Sequence, residues 1–191
     1  MLMYDMRPRD INRLMFKRAS KALKQIIVDK GVECIDEETV RACLFNALSE
    51  LRDYFPKKEC ENRTDLVVYK KKNNLLYLLY ELKTYFKAAE YICYDESNIL
   101  KDLYKLATRR SESSAYFILV CSKEQLRLSK EKDCRKDELQ FIYEECNQGT
   151  IHTIIYADVS ISIVTKRIYS NDLFYIYTWE VKKASNEKKS C

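Results

Sequence analysis

Arg63-Thr64-Asp65-Leu66-Val67-Val68-Tyr69 and, after a polar break, Leu75-Leu76-Tyr77-Leu78-Leu79-Tyr80-Glu81-Leu82-Lys83 decide how this chain reads. Both runs are rich in aliphatic and aromatic residues, and Lys70-Lys71-Lys72-Asn73-Asn74 separates them as a turn would, so together they read as a β-hairpin. The first strand opens on an acid and the second ends on Glu-x-Lys. Residues two apart in a strand share a face, so Glu81 and Lys83 point to the same side of the sheet. Charges placed in such an apolar run are costly to bury unless they pair with each other, with a metal or with a substrate.

Register decides whether Asp65 joins them. Directly opposed residues share a face. Pairing Asp65 with Glu81 sets Tyr69 against Tyr77 and Lys70 against Leu76, with an odd number of loop residues, for instance 71–75. A four-residue turn at 71–74 without a bulge would put the two carboxylates on opposite faces.

The rest of the chain frames this hairpin. Its 191 residues suffice for one domain with a core, and 47% hydrophobic with 33% charged residues is a globular composition. Only 2 Gly and 2 Pro argue against glycine-rich phosphate loops and long linkers. The net charge of +5 fits a nucleic-acid partner without requiring one. There is 1 His, and none of the 8 Cys is spaced as C-x-x-C, so a zinc site of the usual spacing is not expected. Cys43 and Cys121 sit inside apolar patterns and read as core residues. With no secretory segment and no apolar run long enough to span a bilayer, the expectation is an intracellular protein with no membrane partner.

Helical spacing runs from Ile11 to Ile27, with Asp10 as candidate N-cap and Gly31 as stop. A second helix follows Asp36, with Val40, Cys43, Leu44, Ala47, Leu48 and Leu51 on one stripe. Glu37 and Glu50 lie at the edges of that stripe, so either is a candidate auxiliary acid, and for Glu37 the alternative is a favourable charge at the helix N-terminus. A strand is expected at 54–60. A helix capped by Asp95 or Ser97 carries Lys101, Lys105 and Arg109. The run Ala115-Tyr116-Phe117-Ile118-Leu119-Val120-Cys121 has the form of a buried parallel strand. Ser122 with Gln125 reads as a capping box. Segments 151–164 and 174–181 are β-rich and expected to pair at a sheet edge. The expected organisation is one α/β domain, 1–181, with a core at 36–121, a β-rich extension at 150–181 and a disordered tail at 182–191.

Two carboxylates and the Leu82 carbonyl at the open end of a sheet make a hard oxygen site suited to Mg²⁺ or Mn²⁺. An adjacent Lys can hold a water or stabilise charge developing on a phosphate. This constellation resembles the PD-(D/E)xK nuclease superfamily, with Asp65 as first acid, Glu81 as second and Lys83 as the lysine. A helix before the acid-bearing strands, the hairpin, and a helix leading into a buried strand agree with it over about 36–121. Thr64 stands where the motif has Pro. The resemblance implies a restriction-endonuclease-like mixed central sheet flanked by helices. It also implies a Mg²⁺-dependent endonuclease acting on DNA as a homodimer. Candidate phosphate contacts are Arg63, Lys87, Lys101, Lys105, Arg109 and Arg110. RNA as substrate stays open, as does a non-catalytic nucleic-acid-binding or interaction protein of the same fold.

Overall fold

The computed structural model describes residues 6–60, 64–87, 90–109, 113–131, 137–143 and 147–184. Helix α1 (Pro8–Lys30) starts with proline in its first turn, where a missing N–H leaves no bond unmade. Asp10 is not the cap. It lies in the first turn and accepts a hydrogen bond from Arg7 Nε at 3.1 Å. Gly31 ends the helix with φ +91°, and its N–H reaches Ile27 O at 2.9 Å. Helix α2 (Glu37–Ser49) is capped as expected: Asp36 Oδ1 accepts the Thr39 N–H at 2.7 Å. These bonds hold the Asp36 carboxyl below its ordinary range. Asp36→Ala should cost about 1 kcal/mol, read as a shift in denaturant midpoint at constant slope.

The strands β1 (Tyr54–Cys60), β2 (Thr64–Lys70), β3 (Leu75–Tyr85), β4 (Ser114–Ser122), β5 (Ile151–Tyr156), β6 (Val159–Ser170) and β7 (Phe174–Lys183) form one sheet. It has 7 strands in the order β1-β2-β3-β4-β7-β6-β5. Every neighbour is antiparallel except β3 and β4, which run parallel and are joined through helix α3 (Glu96–Thr108). Helices α4 (Lys123–Glu131) and α5 (Gln140–Tyr143) follow β4. Ser122 Oγ accepts the Gln125 N–H at 3.0 Å, which starts α4 as the capping pattern predicts.

Alternation splits the core into two layers. Leu66, Val68, Leu78, Tyr80 and Leu82 pack with α1 and α2 on one face. Val67, Leu79, Phe117 and Trp179 pack with Ile99, Leu103 and Leu106 of α3 on the other. The result is a single α/β domain with a mixed sheet flanked by helices.

In the C-terminal third the two β-rich segments pair as expected, Ile163 opposite Val181 and Val164 opposite Glu180, but the second does not lie at the edge. The 151–164 segment is a hairpin, β5 and β6, turning on Ala157 and Asp158 with φ of +48° and +61°. That is the positive-φ geometry of a tight turn matched to strand twist. β7 lies inside the sheet between β4 and β6. Burial on both faces along 174–181 follows from this interior position. β7 also takes in Lys182 and Lys183, read from sequence as tail; 185–191 lie outside the described residues. Among the described residues, no helix is long and apolar enough to cross a membrane. Cys34, Cys43 and Cys121 are free thiols; burial pushes Cys121 up to about 12, consistent with its reading as a core residue.

Candidate active site

The hairpin register satisfies the geometric condition by a route not anticipated. Lys70 pairs with Leu75 and Tyr69 with Leu76, leaving the four-residue turn at 71–74. Without further adjustment that turn would place Asp65 and Glu81 on opposite faces. The register instead shifts between Val68 and Tyr69: Val68 pairs with Leu78, Val67 with Leu79 and Leu66 with Tyr80. Tyr77 is the extra residue of this β-bulge. The paired ladder ends at Leu66 and Tyr80, and continuing its alternation places Asp65 on the face of Val67 and Glu81 on the face of Leu79. Both therefore project on the α3 face, together with Lys83.

Asp65 is held from two sides. Its Oδ2 accepts the backbone N–H of Leu82 at 2.8 Å and its Oδ1 accepts from Arg41 Nη2 at 3.2 Å. A strand residue directs its N–H and C=O to the same neighbouring strand. The Leu82 carbonyl therefore points to the edge from which Asp65 approaches. Glu81 is 2% exposed, beneath α3. Its Oε1 lies 2.5 Å from Lys105 Nζ, a close charge-assisted contact. Lys83 Nζ lies 3.0 Å from Asp102 Oδ2. Arg41 also reaches Glu37 Oε1 at 2.9 Å and Glu38 Oε2 at 3.0 Å.

The cluster thus holds the carboxylates Glu37, Asp65, Glu81 and Asp102 against the cations Arg41, Lys83 and Lys105. Burial and then the charge of Asp65 push Glu81 up to about 8. Glu37 is raised for the same two reasons. Asp102 is raised by burial, against the opposing pull of Lys83. Burial pulls Lys83 down, but Asp102 more than offsets it and the ammonium ends above its ordinary value. Lys83 is therefore a donor and a positive charge here, not a base.

The residues expected from sequence divide into several groups. Asp65, Glu81, Lys83 and Glu37 come together. Glu50 does not: it is the C-cap of α2, at the opposite end from Glu37, where its Oε2 pairs with Arg18 Nε at 3.2 Å. Lys105, expected against phosphate, faces Glu81 instead. Arg109 is turned inward, donating to the Leu106 and Ser113 carbonyls. Lys101 is exposed on α3. Arg63 and Arg110 lie outside the described residues. Arg41 and Asp102 were not legible from sequence. Arg41 lies one turn beyond Glu37, and Asp102 precedes Lys105 by three and Arg109 by seven. That spacing, which makes Asp102, Lys105 and Arg109 one stripe beside Ile99, Leu103 and Leu106, was the available signal.

The donors fit a hard divalent cation by kind: two carboxylates and a carbonyl directed to one edge. They do not converge into a preformed cage, since among the described residues no group of three or more His, Cys, Asp or Glu is arranged to hold a metal. The cations carry the neutralising charge instead.

Arg41→Met tests this balance. Asp65 and Glu37 would lose their shared partner, and removing one side of a largely buried ion pair costs about 3 kcal/mol. The loss should shrink as pH falls and Glu37, whose carboxyl is raised, takes up a proton; denaturant titrations at pH 7 and pH 4 check it.

Comparisons with family models, with curated proteins and with solved structures match nothing.

Proposed function

We propose that the chain is a metal-dependent nuclease hydrolysing phosphodiester bonds, with DNA as the substrate and Asp65, Glu81 and Lys83 as the working residues. The observation that carries this is the convergence of those three side chains on one face. It is achieved through a bulge in a hairpin whose turn would otherwise separate them. The order α2-β1-β2-β3-α3-β4, with β4 parallel to β3, also agrees with the restriction-endonuclease-like arrangement.

Asp65, Glu81 and the Leu82 carbonyl would hold Mg²⁺ or Mn²⁺. The ion supplies positive charge against phosphate oxygens and makes water more acidic. The buried Glu81 Oε1, 2.5 Å from the Lys105 ammonium, is the oxygen best placed to exchange an ammonium for a metal ion. Lys83 keeps its protons and offers donors beyond the one on Asp102, so it orients water or a phosphate oxygen by donating to it. Glu37 is the auxiliary acid at the rim. Arg41 holds Asp65 and Glu37 in place. An enzyme that cuts both strands of a duplex would act as a homodimer, one site to each strand.

The test is cleavage of plasmid, branched and single-stranded DNA, and of RNA, in Mg²⁺, Mn²⁺ or EDTA. Metal-dependent cutting of DNA supports the reading. Inertness on every substrate overturns it and leaves the fold as a binding module.

A further inference from the structure

A second concave site lies on the other face of the sheet. A cavity of about 960 Å³ opens between the first turns of α1 and the strands β4, β6 and β7. Its cations are Arg7 at the N-cap of α1, Arg9 and Arg13 within α1 and Lys166 of β6, against the carboxylates Asp10 and Glu180. Both carboxylates are already engaged: Asp10 with Arg7 at 3.1 Å and Arg9 at 3.9 Å, Glu180 with Lys166 at 2.7 Å and Lys182 at 3.1 Å. The rim keeps an excess of positive charge.

The floor holds an independent signal. Thr178 of β7 is 1% exposed, and its Oγ1 has no hydrogen-bond partner among the described residues. Phe174 and Ile176 belong to the α1-side core, so the alternation of β7 points Thr178 and Glu180 to that same side, where the cavity lies. A buried hydroxyl without a partner costs stability. Its placement at the bottom of a cation-rimmed cavity is what a ligand with both phosphate and hydrogen-bonding groups would satisfy.

We propose that this cavity binds a nucleoside phosphate. The phosphates sit on Arg7, Arg9 and Arg13, whose guanidinium groups suit phosphate oxygens by shape and charge, and on the ammonium of Lys166. The nucleoside enters beside Tyr116 and presents its hydroxyl and amino groups to Thr178 and Glu180. The volume is in the range of about 300–1,000 Å³ common for small-ligand sites. A free nucleotide and the 5′-phosphorylated end of a strand share this chemistry. The deep unpaired hydroxyl disfavours a duplex lying across the surface, since a duplex backbone would not reach it.

The experiment is calorimetric titration of the full chain with ATP, tripolyphosphate, adenosine and a 5′-phosphorylated tetranucleotide. Wild type should bind ATP with Kd at or below about 100 µM, and tripolyphosphate and adenosine at least about tenfold more weakly. Thr178→Val should weaken ATP binding about tenfold while leaving the melting temperature unchanged or raised, because it removes an unpaired hydroxyl without changing shape. A purely structural role for Thr178 would lower the melting temperature and leave binding alone. Arg9→Ala with Arg13→Ala should also weaken binding, and Asp65→Asn should bind as wild type, which separates this site from the acidic cluster. Tighter binding of the tetranucleotide than of ATP assigns the strand end as the natural source. The proposal is overturned if neither ATP nor the tetranucleotide binds saturably up to about 1 mM, or if tripolyphosphate binds as tightly as ATP and Thr178→Val changes nothing.

Discussion

Asp65→Asn and Lys83→Met should each lower metal-dependent phosphodiester cleavage by about a thousandfold or more, whereas Glu50→Gln should leave it unchanged. Asn at 65 keeps an oxygen to accept the Leu82 N–H now bonded at 2.8 Å, so the strand end stays in place. What it removes is the negative charge that would hold a cation, and that charge is the chemical content of the residue. Lys83→Met keeps the length and apolar stem of the side chain and removes the ammonium 3.0 Å from Asp102. Asp102 would be left buried without its cation, so this variant also loses stability. Lys83→Arg separates the two effects: it restores the ion pair and therefore the fold, but its planar head donates from different positions. Stability should recover in Lys83→Arg and activity should not recover fully. Initial rates of plasmid nicking, with melting curves for each variant, check the set. If Asp65→Asn and Lys83→Met cut as fast as wild type, the residue assignment fails.

The second large effect concerns stability and pH. Glu81 has an ordinary value of 4.5 and is raised in the folded chain to about 8, through burial first and Asp65 second. Between those values the folded state binds a proton that the unfolded state has released. The unfolding free energy therefore falls as pH rises through this window and is flat on either side of it. The raised Glu37 and Asp102 act with the same sign. For Glu81 alone the full span is on the order of 5 kcal/mol as an upper figure. Glu81→Gln cannot ionise, so it should match wild type near pH 4.5 and exceed it in stability by several kcal/mol at pH 8–9, with a flatter profile between. Denaturant midpoints across pH 4–9 read this directly. Equal slopes for the two proteins would show that Glu81 is not the group responsible. A site that costs stability at neutral pH is the signature of a residue kept for chemistry rather than for folding.

Much of this was legible in the residues. The α2 stripe, the Asp36 cap, the apolar parallel strand at β4 and the hairpin all follow from periodicity and turn chemistry, because each is set by neighbours in sequence. The acid-Glu-x-Lys set follows from the period of two. The rest depended on distance. Nothing local to Lys70–Asn74 announces that Tyr77 is the extra residue of a bulge, since that is settled by which register buries Val67 and Leu79 under α3. Arg41 and Asp102 look like ordinary charged positions on amphipathic helices. Only when α2 and α3 meet the sheet do they become the partners of Asp65 and Lys83. The same holds for β7, whose interior place depends on strand order, and for Glu50, which shares a stripe edge with Glu37 but sits at the wrong end of the helix.

Binding of Mn²⁺ measured by calorimetry at pH 7 and pH 8.5 tests the central claim most directly. Wild type should bind one ion per chain and release protons in doing so, more at pH 7 than at pH 8.5, because Glu81 must give up its proton to accept a cation. Asp65→Asn and Glu81→Gln should weaken that binding at least about a hundredfold. Absence of saturable Mn²⁺ binding by the wild-type chain, or binding that both variants retain, would contradict the account.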